Sequence, residues 1–463
     1  MASASEQLAA NMNLGVFSKA KELQKRLLFT LMILVIYRIG TYVPIPGVNH
    51  VAFQSAFGGV SDGLFGRLNM FSGGAVERMA VFALNVMPYI SASIIMTLLK
   101  GSVASLKELD KDGEQGRKQI NQYTRYLTVF LAAFQAFGIA RALMGQTVPD
   151  PSGQGSIDVV INAGWFFQAS TVITLVGGTM FLMWLGEQVT ARGVGNGVSL
   201  IILAGIVAEL PKAIFQLFGM NQRGDIGEGT LLILIVMFVA LIMLIVFVER
   251  AQRRLRVQYP KRQMAGGKQF GGENSFMPLK LNTAGVIPPI FASSLLLLPA
   301  TFGQIFVGGE GAASGFMGTI LAYLGYGSPT YLLLYGLLII FFCYFYVPYV
   351  FKPDDVADNL RKNGGFLPGI RPGQRTAEYL TYVLSRLTFI GAIYVAFVCV
   401  LPEAFIATRG NIPTSVALLI GGMSLLIIVS VTLDSVAQVQ SHLIAHQYEG
   451  LIKKSRMRRR NTT

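Results

Sequence analysis

Charge is what this sequence has least of. Only 13% of its 463 residues are charged and 52% are hydrophobic, whereas soluble domains carry about 25% charge. A water-soluble globule of this length is therefore excluded. Acid is scarcer than base: 24 Asp and Glu face 38 Lys and Arg, a net charge of +14. Histidine, with 3 residues, and cysteine, with 2, are nearly missing. Cys343 and Cys399 sit inside apolar runs with no CxxC or Cys/His spacing. Neither a disulfide framework nor a metal centre is indicated, and both read as small packing residues. No Walker A pattern, HExxH or nucleophile elbow occurs, so no enzyme activity and no cofactor are expected. "GVGNGV" at 193–198 follows an apolar run rather than a strand. It is read as a flexible start to the next helix, not as a dinucleotide site. The segment "MASASEQLAANMNLGVFSKAKELQKR" holds no signal-peptide core or cleavage site, so the first apolar run is expected to be retained.

What is abundant is apolar sequence in lengths that span lipid. Runs at 27–44, 79–99, 126–144, 165–186, 197–217, 230–248, 284–305, 330–350, 380–401 and 415–437 predict ten transmembrane helices. An even number puts both termini on one side. Most Lys and Arg fall in segments sharing that side, including Lys100 to Arg125, Arg250 to Lys280, Lys352 to Arg375 and the terminal "KKSRMRRRN". Both termini are therefore expected in the cytoplasm. Ten helices divide as five plus five, 27–217 and 230–437, across a loop at 218–229. Because five is odd, a related second half enters inverted, the plan that places a functional site between halves. The ends are a cytoplasmic segment at 1–26 and a basic tail at 438–463.

Ionisable residues in the runs are few. Arg38, Arg141, Glu187, Glu209, Lys212, Arg386 and Asp434 lie towards run ends, where long side chains can snorkel. A proton- or sodium-coupled carrier usually commits carboxylates near the midplane, and none is obvious here. The midplane offers β-branched aliphatics instead. Val86 and Ile90 stand four apart, as do Val198 and Ile202, so each pair shares a helix face. Ordinary packing accounts for such pairs as well as a pore would.

Two cytoplasmic loops, 250–283 and 351–376, are long for connections between neighbouring helices. The second contains "FLPGIRPGQRT", whose prolines and glycines force turns around Arg371. Such a cationic tip suits an anionic partner or a simple topology signal. A last oddity is the fragment at 63–72, "GLFGRLNMFS", closed by Gly73 and Gly74. It is about 14 Å long as a helix, half of a hydrocarbon core. A half-length helix at membrane depth requires a cavity.

Five stretches carry a resemblance: "NMFSGGAVERMAVFALNVMPYISASIIM", "GTMFLMWLGEQVTARGVGNGVSLIILAGIVAELP", "VFVERAQRRLRVQYPKRQ", "PLKLNTAGVIPPIFASSLLLLPAT" and "ADNLRKNGGFLPGIRPGQRTAEYL". They resemble SecY, the central subunit of the bacterial protein-conducting channel, in order from about Leu23 to Lys454. The resemblance implies an all-α integral membrane protein with ten transmembrane helices in two pseudo-symmetric, inverted five-helix halves around a central pore, and a short plug helix. It implies a constriction of Val86, Ile90, Val198, Ile202, Ile290 and Ile427, with Val at 86 and 198 where relatives commonly carry Ile. An aliphatic collar of that kind blocks ions by dewetting and has no preference among passing side chains. The plug matches 63–72, with Leu64, Phe65, Leu68 and Met70 in it and Gly73 and Gly74 as a hinge. The lateral gate matches Ser91, Gln135 and Asn282, residues that also serve as plain interhelical glue.

The loop residues Arg253, Arg254, Lys261, Arg262 and Arg371 match the surface that receives the motor SecA and the ribosome with its RNA. The other implied partners are the SecE and SecG subunits, secretory and membrane-protein substrates, membrane lipids and accessory translocon factors. The implied location is the bacterial plasma (inner) membrane. A secondary transporter with inverted repeats is the alternative class, told apart by saturable solute uptake and a midplane ion site.

Overall fold

The computed structural model describes residues 21–49, 52–53, 64–144, 147–149, 156–259, 262–263, 269–270, 274–296, 328–409 and 414–460. They form two compact units, 1–211 with 431–463, and 212–430.

The first unit contains α1 (Lys21–Gly40), α2 (Leu64–Ser72), α3 (Met87–Ser102), α4 (Ala104–Lys111), α5 (Glu114–Met144), the hairpin β1 (Thr147–Pro149) and β2 (Ser156–Asp158), and α6 (Trp165–Arg192). It also holds α7 (Gly197–Arg223) up to Pro211 and α14 (Gly422–Arg460) from Val431. α3 and α6 pack along α5, and α1 packs on α6. The second unit contains α8 (Glu228–Arg250), the strands β3 (Gln252–Gln258), β4 (Arg262–Gln263), β5 (Gln269–Phe270) and β6 (Asn274–Lys280), and the short helix α9, Ile287–Leu296. α10 (Pro329–Val350), α11 (Pro353–Lys362), α12 (Gln374–Arg409) and α13 (Thr414–Ile420) complete it.

Among the described residues seven helices are long and apolar enough to cross a membrane: α5, α6, α7, α8, α10 with α11, α12 and α14. Their surfaces carry apolar side chains that a soluble protein would bury, such as Phe166, Phe215 and Phe247. Only 22% of the apolar stretch of α8 is buried within the chain, against 50% in α12 and α14, so α8 leaves the largest apolar share to be covered by lipid or a partner. The chain's two tryptophans, Trp165 and Trp184, are both exposed on α6. Nineteen residues apart (184 − 165), they are separated by about 28 Å of helix, the spacing of the two aromatic belts of a bilayer. The protein is thus a mostly helical, multi-pass membrane protein.

The run at 79–99 does not form one helix. Regular helix begins at Met87, with Pro88 in its first turn where a missing N–H costs nothing. Residues 73–86 are a chain of turns, with Met79 and Asn85 at φ +43° and +50°. Several of their backbone groups are satisfied locally and by the segment that follows α1, where Ile45 N–H donates to Met79 O (3.0 Å) and Val81 N–H to Val43 O (2.9 Å). Hydropathy cannot see this break, because the turn residues are as apolar as the helix that follows.

The loop at 193–198 is tied rather than flexible, contrary to its sequence reading. Val194 N–H donates to Thr30 Oγ1 (3.1 Å), Gly195 N–H to Gln438 Oε1 (2.7 Å) and Gly197 N–H to Thr190 Oγ1 (2.9 Å). Leu23, Leu27, Val439 and Leu443 pack with Val194.

Candidate functional site: an anchored half-helix beside aliphatic helix faces

α2 ends because Gly73 and Gly74 take φ of +64° and +79°, backbone that glycine alone adopts without strain. Gly74 N–H returns to Asn69 O (3.1 Å), the closing bond of a Schellman turn. A helix end still leaves carbonyls without partners, and here three successive ones, Phe71 O, Ser72 O and Gly73 O, are taken by side chains from outside the helix. Phe71 O accepts from Asn85 Nδ2, and Ser72 O accepts from Tyr37 Oη at 3.1 Å. Gly73 O accepts from Arg38 Nη1 and Arg78 Nη2, both at 2.7 Å. Two guanidinium groups thus face the negative end of the helix dipole.

These arginines are themselves held. Both lie over the Tyr42 ring, with guanidinium carbons 5.0 and 4.2 Å from its centroid. The Glu209 carboxylate lies 3.4 Å from Arg78 and 3.7 Å from Arg38. Glu209 is only 5% exposed. At the sequence level Arg38 and Glu209 are snorkelling residues near run ends; the fold instead turns them inward, and charge pairing explains why. A buried carboxylate is costly unless paired and hydrogen-bonded.

The candidate ring residues of this unit share faces with the groups that hold α2. On α7, Val198, Ile202, Gly205 and Glu209 follow a four-three-four spacing and line one face. Gly205 is where α2 comes closest: a Cβ there would stand 2.5 Å from Phe71 O and 2.9 Å from Tyr37 Oη. Asn85, which binds Phe71 O, directly precedes Val86. Val86, Ile90 and Ile202 are buried and Val198 is half-buried. Within α2, Leu68 and Met70 are buried; the side chains of Leu64 and Phe65 lie outside the described residues.

The remaining candidates divide between the units. Ser91 is buried on α3 in the first unit. Gln135, on α5, has a buried Oε1 that accepts no hydrogen bond among the described residues. Ile290, Ile427 and Asn282 belong to the second unit and are all buried. Asn282 is tied within its own unit: Nδ2 donates to Glu249 Oε1 (2.7 Å) and Oδ1 accepts from Gly285 N–H (3.1 Å).

The described parts of the two long loops, 250–283 and 351–376, form one body. β3 and β6 pair antiparallel, and Gln258 exchanges backbone bonds of 2.9 and 3.0 Å with Phe366 of the other loop. Leu255, Val257 and Leu279 pack with Leu367, Leu380, Val383 and Leu387. Strand alternation then turns Arg254 and Arg256 away from that core, and Arg253 is exposed as well. Gly369 and Gly373, at φ +80° and +100°, make the turns expected around "GIRPG" and leave Arg371 exposed. Lys261 and the Arg262 side chain lie outside the described residues.

Comparison with known proteins fits this architecture. A model described as SecY matches residues 80–436. Protein translocase subunit SecY of Rickettsia conorii is 47% identical over 444 residues, covering 96% of this chain and 99% of that protein. The subunit from Escherichia coli K12 is 47% identical over 437 residues, covering 94% and 95%. Among solved structures, a protein-conducting channel aligns with a TM-score of 0.65 at 17% identity over 91% of this chain and 92% of its own. A SecY structure in which the plug domain stabilises the closed channel aligns at 0.63 and 18%, with the same coverage. Sec61 from a canine ribosome–channel complex aligns at 0.61 and 17%, again over 91% and 92%. Near-complete coverage at 47% identity, with a half-helix docked on aliphatic helix faces, leads to one conclusion: the chain belongs to the SecY family.

Proposed function

We propose that this chain is the channel-forming subunit of a Sec translocon, a passive conduit that passes unfolded secretory polypeptides across the membrane and releases hydrophobic segments sideways into lipid. SecY is a family of protein-conducting channels, not of enzymes. Work is supplied from outside, by the SecA motor or by chain elongation on the ribosome. Val86, Ile90, Val198, Ile202, Ile290 and Ile427 are the aliphatic residues that meet a chain in transit. They seal the idle channel because a narrow apolar constriction is unfavourable to hydrate. α2 is the plug, Gly73 and Gly74 its hinge, and Ser91, Gln135 and Asn282 the polar residues of the lateral gate. We place the protein in the bacterial inner membrane with ten spans, in two halves of five at 27–217 and 230–437, and with both termini cytoplasmic.

The observation that carries this reading is the docking of α2. A nine-residue helix, too short to span, is fastened through Asn85 and Gly205 to the segments bearing Val86 and Ile202. A structural fragment would need no such address. The plug of the SecY structure that aligns with this chain supports the assignment.

The exposed Arg253, Arg254 and Arg371, with Lys261 and Arg262, form the surface for SecA and for ribosomal RNA, whose phosphates favour arginine and lysine. Ribosome-bound Sec61 and yeast Ssh1 among the structural neighbours support that docking. SecE and SecG complete the assembly, with accessory translocon factors joining it. The test is a photo-crosslinker placed singly at Val86, Ile290 and Ile427 with a secretory precursor stalled midway. Crosslinks at all three sites, absent from the idle channel, are expected; a precursor that reaches none of them overturns the reading.

A further inference from the structure

We propose that Arg38, Arg78 and Glu209 form a charge latch on the C-terminal joint of α2, and that these positioning residues set how readily the plug leaves its seat. The inference rests on the plug reading of α2 and adds to it the groups that hold the plug closed.

The argument starts from the chemistry of a helix end. The Gly73 carbonyl accepts two guanidinium donors at 2.7 Å, and charge-assisted bonds of this length are roughly twice as strong as neutral ones. One arginine comes from α1, and the other lies just beyond the hinge, so they clamp the joint from two elements. Two cations at one oxygen repel each other, and Glu209 is the counter-charge. Its Oε1 lies 3.4 Å from one and 3.7 Å from the other, at a position 5% exposed. All three members are needed: without the acid the arginines repel, and without the arginines a buried carboxylate stands unpaired.

The position of Glu209 makes the cluster a latch rather than inert scaffolding. Glu209 lies on the α7 face of Ile202 and Gly205, seven residues (209 − 202) from Ile202, or about 10 Å of helix rise. Gly205 makes contact with α2 so close that a Cβ is not accommodated. A polypeptide running along this face separates α7 from the joint. That separation removes the counter-charge from the two arginines that grip Gly73 O. Occupancy of the channel thereby weakens the hold on the plug, with no separate trigger.

The test uses the assembled channel complex in planar bilayers in four forms: unaltered, Glu209→Gln, a deletion of 63–72, and both changes together. Glu209→Gln is expected to raise resting conductance about tenfold or more, the scale of an uncompensated buried charge. In the deletion the same substitution is expected to add nothing, which a general loss of structure would not reproduce. Glu209→Asp, keeping the charge, restores most of the seal. Only channels blocked by a stalled precursor are counted, so misassembled protein does not contribute. If Glu209→Gln yields no such channels, Arg38→Gln, on the other side of the contact, takes its place: a leak supports the latch and a tight channel overturns it. A leaky deletion with a tight Glu209→Gln channel overturns the latch alone, as does an additive double change. A deletion with unchanged conductance overturns the plug assignment, and the latch falls with it.

Discussion

The joint of α2 and the loop body built on β3 and β6 use arginine in opposite ways. At the joint, Arg38 and Arg78 are part-buried and are bonded to a carbonyl, a tyrosine ring and a buried carboxylate. In the loop body the aliphatic side chains do the holding, and Arg253, Arg254 and Arg371 stay exposed, in no ion pair among the described residues. The difference teaches what each region is for. The arginines of the joint are committed to internal bonds that hold a helix end, and those of the loop body are left available to a partner. The physics is the same in both, since a guanidinium binds whatever planar oxygen acceptor geometry offers it.

Four measurements press on that contrast. The largest effect is expected from Leu380→Ala, which opens a cavity in the core of the loop body. It should cost about 2–5 kcal/mol and make the 250–283 loop protease-sensitive while resting conductance stays unchanged; a leak would mean the two regions are not separable. Next, Gly205→Val pushes a branched side chain into Phe71 O. An overpacking cost of about 1–3 kcal/mol is expected to appear as resting conductance, with protease resistance of the loops intact. Third, Arg371→Ala removes an exposed cation, with a loss of SecA-driven export of about tenfold, equivalent to about 1.4 kcal/mol, and a smaller loss of membrane insertion. Equal losses at normal protein levels would contradict a motor-specific role. The smallest effect concerns salt: Arg254→Gln should lower the slope of log affinity for ribosomes against log salt by about 1. An unchanged slope would remove Arg254 from the phosphate-binding surface.

Much of the architecture is legible in the chain itself. Seven helices fall within or across the apolar runs from 126 onward, because lipid demands continuous apolar sequence and internal hydrogen bonding. The turns around Arg371 follow from Gly369 and Gly373, whose positive φ is a property of glycine. The short helix α2 and its stop are marked by Gly73 and Gly74, both of which take positive φ. Three things are not legible. The run at 79–99 conceals the turns at 73–86, since apolar turn residues look like helix. The "GVGNGV" loop looks flexible because its ties, Thr30 and Gln438, are 164 and 243 residues distant. Arg38 and Glu209 look like snorkelling residues because each is the only residue of its charge in its run, and pairing across 171 positions (209 − 38) leaves no local pattern.

The sequence by itself determined that this is a multi-pass membrane protein, which segments are apolar enough to span, which loops are basic and where a helix must stop. Each of these depends on transfer to lipid or on local backbone sterics, and both act on neighbours in the chain. Only the tertiary structure decided which charges face inward, which carbonyl each arginine satisfies and how two distant loops merge around one leucine-rich core. Those outcomes depend on distances between segments far apart in sequence, and the hydrogen-bond and pairing energies that select them do not exist until the helices have packed.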